Sequence, residues 1–142
     1  MRLVLDTNVI LAAVLSGAGA SRQLLKDALS RQFVVLCSVP LMLEYESVLK
    51  RPQHLVRAGI TAEDADTLLD SLAGVLEPVR FSFLWRPVLR DPQDEMVLAT
   101  AVNGRADALI TRDLRDMAPN LARFGIRAMA PGPALKWIRS MQ

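Results

Sequence analysis

Met1-Arg2-Leu3-Val4-Leu5-Asp6-Thr7-Asn8 opens the chain with three consecutive apolar residues that run into a carboxylate. An unbroken apolar run of this kind suits a strand buried on both faces, as in a parallel sheet. An acid that ends such a strand lies at the edge of the sheet, and open α/β sheets collect their ligands outside the carboxyl ends of their strands. Asp6 is therefore the first candidate for a functional residue. What remains is to find which other acids reach the same edge.

Downstream, turn and capping signals divide the chain into short alternating elements. Thr7 or Asn8 is placed to cap a helix over Val9 to Leu15, which Ser16-Gly17-Ala18-Gly19 breaks. A second helix starts at Ser21 and runs to about Ser30. Phe33 to Cys37 is a second buried strand, and Ser38-Val39-Pro40 leads into a helix from Leu41 to Arg51 that Pro52 ends. Thr61-Ala62-Glu63-Asp64 repeats the helix-start pattern, and Ala65, Leu68, Leu69, Leu72 and Leu76 follow at helical spacing to residue 76. Val79 to Phe83 reads as a short strand, Asp91-Pro92 opens a helix to about Asn103-Gly104, and Ala108 to Thr111 is another strand. Gly125 to Met129 is the last strand and Pro133 to Met141 the last helix. Strands that alternate with helices predict an α/β domain built on a parallel sheet with helices on both faces.

The totals agree with one such domain. A chain of 142 residues, 51% hydrophobic and 23% charged, has the size and composition for a substantial aliphatic core. The formal charge is only +2, but Lys26, Lys50 and Lys136 are the only lysines among 17 basic residues. The arginine excess fits phosphate contacts, although a GC-rich genome gives the same bias. A single cysteine, Cys37, lies in an apolar run, and His54 is the single histidine, so zinc chemistry and a Cys-His nucleophile are poor fits. The longest apolar run, Val9 to Leu15, is far below the roughly 18 residues of a membrane span. Asp6 interrupts any signal-peptide pattern, and the expected location is the cytoplasm.

On a helical wheel Val97, Leu98, Ala101 and Val102 form one stripe, and Asp94 stands in the middle of it. A carboxylate aimed at a core face is costly unless it is paired, hydrogen-bonded or bound to a cation. Asp91 is explained by N-capping, and Asp94 also admits a capping-box role. Asp113 follows its strand as Asp6 follows the first, which sets both acids on one sheet edge beside the Thr111 hydroxyl. A helix cap is the plain alternative for Asp113, and Asp116, one turn on, fits either account. Glu44 and Glu46 flank opposite sides of the stripe Leu41, Tyr45, Val48 and Leu49, and the pattern does not choose between them. Carboxylates gathered at one edge repel one another unless a cation is present, and an all-oxygen cluster is what Mg²⁺ or Mn²⁺ prefers. Such ions activate water for attack on a phosphodiester, so phosphate-ester hydrolysis is the expected chemistry.

Four stretches together resemble the PIN-domain ribonucleases, in particular the toxin branch of bacterial toxin-antitoxin pairs. They are LVLDTNVIL (Leu3 to Leu11), SVPLMLEYESVLKRP (Ser38 to Pro52), RDPQDEMVLATAV (Arg90 to Val102) and DALITRDLRDM (Asp107 to Met117), in family order. The resemblance implies one PIN domain over residues 1–142, a sheet of about five parallel strands, and Mg²⁺- or Mn²⁺-dependent cleavage of RNA. Asp6, Glu44, Asp94 and Asp113 match the acidic quartet, which selects Glu44 over Glu46. Asp6, Asp94 and Asp113 would hold metal, and Glu44 would complete the shell or position water. Asn8 and Thr111 match the polar residues that support the first acid.

The chain also departs from the family pattern. Many members carry an acid where this chain has Arg115, which leaves Asp116, one place further, as a supporting candidate beside Asp91. The implied partners are an RNA substrate, a cognate antitoxin protein and a second copy of the chain. Two rivals stand beside this reading. A haloacid-dehalogenase-type phosphatase needs a second Asp at position 8 and a motif lysine that this chain lacks. A non-catalytic module binding RNA or protein would have to keep its acids clustered without cleavage.

Overall fold

The computed structural model describes residues 1–82 and 92–142. In chain order, β1 (Arg2–Leu5), α1 (Thr7–Leu15), α2 (Ala20–Leu29) and β2 (Val34–Cys37) are followed by α3 (Val39–Leu49), α4 (Pro52–Ala58), α5 (Ala62–Ala73) and β3 (Glu77–Pro78). Then come α6 (Pro92–Asn103), β4 (Ala108–Ile110), α7 (Leu114–Ala122), β5 (Arg127–Met129) and α8 (Pro131–Ser140). The five strands form one parallel sheet in the order β3-β2-β1-β4-β5. The fold is the α/β architecture that strand and helix alternation predicts.

β1 lies in the middle because its residues tolerate complete burial. Leu3, Val4 and Leu5 are fully buried, as are Ala108, Leu109 and Ile110 of β4, and the registers Leu3↔Ala108 and Leu5↔Ile110 set the two apolar strands side by side. From β1 the chain moves outward to β2 and β3, then returns to the other side of β1 for β4 and β5. Crossovers between parallel strands are as a rule right-handed, and with this strand order that rule assigns the helices of the two halves to opposite faces. The reversal between β1 and β4 is the switch point at which such sheets open a crevice beyond the strand ends.

Arg2 secures the opposite edge. Its guanidinium pairs with Glu77 at 2.6 Å and donates to the Gly104 carbonyl at 2.9 Å, and its amide donates to Asp107 at 2.8 Å. The amino ends of the strands are thereby tied together, away from the crevice.

Several element boundaries differ from the sequence expectation. The N-cap of α1 is Asp6, with no side-chain cap bond, rather than Thr7 or Asn8. The α3 cap is Ser38, whose hydroxyl accepts from the Leu41 amide, so that helix begins two residues early. Pro52 begins a helix instead of merely ending one: it sits at the first turn of α4, where a missing N–H costs nothing, and left-handed Gly59 (φ 69°) stops the helix. α5 has the expected Thr61–Asp64 capping box but ends at Ala73 rather than at residue 76. The turn expected after Asp113 is the nine-residue helix α7, which continues through Pro119 because Met117 and Leu121 bury an apolar face. β3 is Glu77–Pro78 rather than Val79 to Phe83: Pro78 fits an edge strand, Val79 adds one amide bond to Cys37 O, and Phe83 lies outside the described residues. β5 and α8 begin at Arg127 and Pro131 instead of Gly125 and Pro133.

Candidate active site

At the switch point β1 ends and its next residue turns into α1. The Asp6 amide still bonds to Ile110 O at 2.9 Å, so the backbone is fixed by the sheet while the carboxylate passes beyond it. Asp6 is 7% exposed. Its Oδ2 accepts from the Thr111 hydroxyl at 2.7 Å and from Asn8 Nδ2 at 3.4 Å. A carboxylate so oriented cannot also cap α1, which explains the missing cap bond.

Thr111 and Asn8 extend the cluster. The Thr111 hydroxyl also accepts from the Asp113 amide at 3.0 Å, and Asn8 Oδ1 accepts from the Arg112 amide at 3.1 Å. The loop after β4 is thus folded around the side chains after β1. Asp113 is half-buried at the N-cap of α7 and makes no side-chain cap bond, so capping does not account for its carboxylate. Asp116 is exposed on the first turn of α7 and takes no part in this network.

Glu44 and Asp94 arrive on helices. Tyr45, the residue after Glu44, is fully buried and its hydroxyl donates to Leu5 O, the carbonyl just before Asp6. That bond ties α3 to the end of β1. The Ser38 hydroxyl meets the Thr100 hydroxyl at 2.7 Å, which joins the start of α3 to α6. Glu44 is half-buried, whereas Glu46 is exposed and lies 3.9 Å from Lys50. Asp94 is half-buried in the first turn of α6, one turn before buried Val97 and Leu98. Asp91 lies outside the described residues, as do Arg86 and Arg90, which adjoin the site in sequence.

Sequence reasoning passed over Tyr45 and the Ser38–Thr100 pair. A signal existed for the first: the chain's only tyrosine sits on an apolar helix stripe, where its O–H needs a partner. The second joins residues 62 apart, and nothing local announces it.

The donors suit a hard divalent cation in kind, because every candidate is a carboxylate and the first is held by hydroxyl and amide groups. Among the described residues no three acidic, His or Cys side chains converge as a closed cage would require. Soft ligands are engaged elsewhere: Cys37 is buried in β2, and His54 Nδ1 lies 2.6 Å from Val48 O.

A parallel α/β sheet with Asp6 and Asp113 set just beyond its central strands β1 and β4 defines the class: an α/β domain with carboxylates at its switch point. The PIN domain family matches residues 2–115, and the chain belongs to that family. PIN domains are in general nucleases that depend on a divalent metal. Among solved structures, one chain of VapBC2 from Rickettsia felis, crystallised bound to a DNA fragment from their promoter, is similar at a TM-score of 0.59 and 16% identity, covering 92% of this chain and 98% of that one. That likeness is one of fold. No curated protein matches the chain. Among the described residues no helix is long and apolar enough to cross a membrane.

Proposed function

We propose that the protein is a metal-dependent ribonuclease that hydrolyses RNA phosphodiester bonds with Asp6, Glu44, Asp94 and Asp113, as the toxin of a toxin-antitoxin pair. The observation that carries this reading is the Asp6 carboxylate, fixed at the switch point by Thr111 and Asn8 and making no cap bond to α1. Mg²⁺ or Mn²⁺ bound there would supply an activated water and charge for the leaving oxygen. Asp6, Asp94 and Asp113 are the residues to hold it, and Glu44 would orient the water. Thr111 and Asn8 keep Asp6 in place, with Asp91 and Asp116 as outlying supports. Membership of the PIN family and the fold shared with a VapBC2 chain support the toxin assignment and an antitoxin partner.

The test is cleavage of a mixed panel of labelled RNAs with Mg²⁺, Mn²⁺ or EDTA, beside an Asp94→Asn variant. Cutting that needs metal and disappears in the variant supports the assignment. Equal inertness of both proteins, with RNA or a protein partner still bound, replaces it with a binding module.

A further inference from the structure

A second cavity of about 290 Å³ lies beside the acid cluster, lined by Ser16, Gly19, Ala20, Ser21, Arg112 and Pro131. None of these residues is acidic. Helix α2, ten residues long, begins at the cavity with Gly19 as its N-cap and no side-chain cap. Among the described residues the amides of Ala20, Ser21 and Arg22 have no acceptor, and Gln23 is the first to bond back, to Gly19 O. A helix start with uncapped amides favours an anion.

Two side chains point to the same ligand independently. Ser21 is 8% exposed, and its hydroxyl makes no hydrogen bond among the described residues. Among the described residues Thr7 carries the one side-chain oxygen that is both sealed and unpaired, so the unpaired Ser21 hydroxyl opens on the cavity. A hydroxyl that opens on a cavity with no protein partner is available to an incoming oxygen. Arg112 brings an exposed guanidinium that pairs with no acid among the described residues, the group that best matches a phosphate. Its own amide is bonded to Asn8, so the stretch Thr111-Arg112-Asp113 borders both the acid cluster and this cavity.

We propose that this cavity binds a backbone phosphate of the same polynucleotide strand whose phosphodiester meets the acids. The α2 amides and Ser21 hydroxyl would hold its oxygens and Arg112 its charge. This rests on the nuclease reading for its substrate, but binding can be tested without cleavage.

The experiment measures affinity for a labelled single-stranded RNA in EDTA, over a series of salt concentrations, for wild type, Gly19→Asp, Arg112→Ala, Ser21→Ala and Arg105→Ala. Gly19 has extended backbone (φ −82°, ψ 165°), and a new Cβ would meet the Ser16 side chain, its hydroxyl at 3.3 Å and its Cβ at 3.8 Å. An aspartate there would cap α2, claiming the amides itself and placing a like charge against the phosphate. Gly19→Asp is expected to melt higher than wild type and yet bind RNA about tenfold more weakly. Arg112→Ala is expected to lower the slope of log affinity against log salt by about 0.7, one phosphate on a single strand. Ser21→Ala weakens binding severalfold, and Arg105→Ala, in the turn before β4, leaves it unchanged.

If Gly19→Asp is more stable than wild type and binds equally well, the subsite is overturned; should it fail to fold, unchanged binding by Ser21→Ala and Arg112→Ala does the same. Inorganic phosphate alone, titrated against the RNA, separates the sources: saturation by phosphate at lower concentration than the oligonucleotide overturns the backbone assignment in favour of a free anion. Metal-dependent cleavage by wild type is read separately. Loss of the subsite with cleavage intact, and loss of cleavage with the subsite intact, are therefore distinct results.

Discussion

Thr111 and Asp6 are 105 residues apart in the chain, and the Thr111 hydroxyl donates to Asp6 Oδ2 at 2.7 Å from full burial. The same oxygen accepts the Asp113 amide, so one hydroxyl fixes both an acid and the backbone of another. Thr111→Val keeps the shape and removes the hydroxyl. We expect the variant to lose about 1–3 kcal/mol of stability through the unpaired groups. Cleavage should fall by about 10- to 100-fold, the usual effect of removing a partner that orients a metal ligand. Thr111→Ser should recover most of it. Urea denaturation and initial rates on one RNA check both; unchanged rates in Thr111→Val would remove Thr111 from the site.

Metal and fold should be linked through Asp6. An ion that binds only the native state adds RT ln(1 + [L]/Kd), about 2.7 kcal/mol at 100 times Kd. Mn²⁺ or Mg²⁺ should therefore raise the melting temperature of wild type, and EDTA should reverse the rise. Asp6→Asn should show no such rise and no cleavage. A metal-induced shift that survives in Asp6→Asn would place the ion elsewhere.

Gly104 is a packing constraint rather than a hinge. A Cβ there would stand 2.9 Å from Thr100 O and 2.9 Å from Val79 Cγ2, with Leu36 Cδ1 at 3.1 Å. Backbone and core atoms give way poorly, so Gly104→Ala should cost about 1–3 kcal/mol. Because the strained carbonyl belongs to α6, the helix that carries Asp94, RNA cleavage should fall more than the loss of folded protein explains. Chemical denaturation and activity per folded molecule provide the comparison.

Alkaline stability should report on Cys37. Burial pushes its thiol up to about 12 from an ordinary 9.0. Between those values the unfolded chain releases the proton and the folded one keeps it, so stability is whole below pH 9 and falls as pH rises. The slope from this one group is about 1.4 kcal/mol per pH unit. Tyr45 is pushed up in the same direction by burial, from an ordinary 10.0, and adds its own loss above pH 10. Cys37→Ala should be less stable at pH 7, through a small cavity, yet flatter between pH 9 and 10. Equal slopes for the two proteins in that window would contradict the buried thiol.

The parts of the fold legible in the sequence were those written in local pattern. Leu3 to Asp6 and Ala108 to Thr111 announce buried strands with polar ends, and the sheet sets them side by side. Asp94 was distinguished from an ordinary surface acid by its place on the stripe of α6. What escaped was decided by competition between local signals and tertiary packing. Pro52 reads as a break but is a helix start, and α7 runs through Pro119 on the strength of its buried face. Asp6 took the cap position without the cap bond because Thr111, distant in sequence, holds its carboxylate. Glu44 could not be preferred to Glu46 by spacing; the difference in burial between them depends on how α3 is moored through Tyr45.

The placement of β1 between β2 and β4 also sets an order of events in synthesis. Thr111 and Asp113 leave the ribosome more than a hundred residues after Asp6. Pairing of such distant strands is a slow, late step in folding, because a long loop must close before any contact rewards it. A nascent or truncated chain that stops before β4 therefore holds Asp6 without its hydroxyl donor and without Asp113. On the proposed assignment the acids can meet only after β4 has been made, and a product that stops short of it would not cleave RNA.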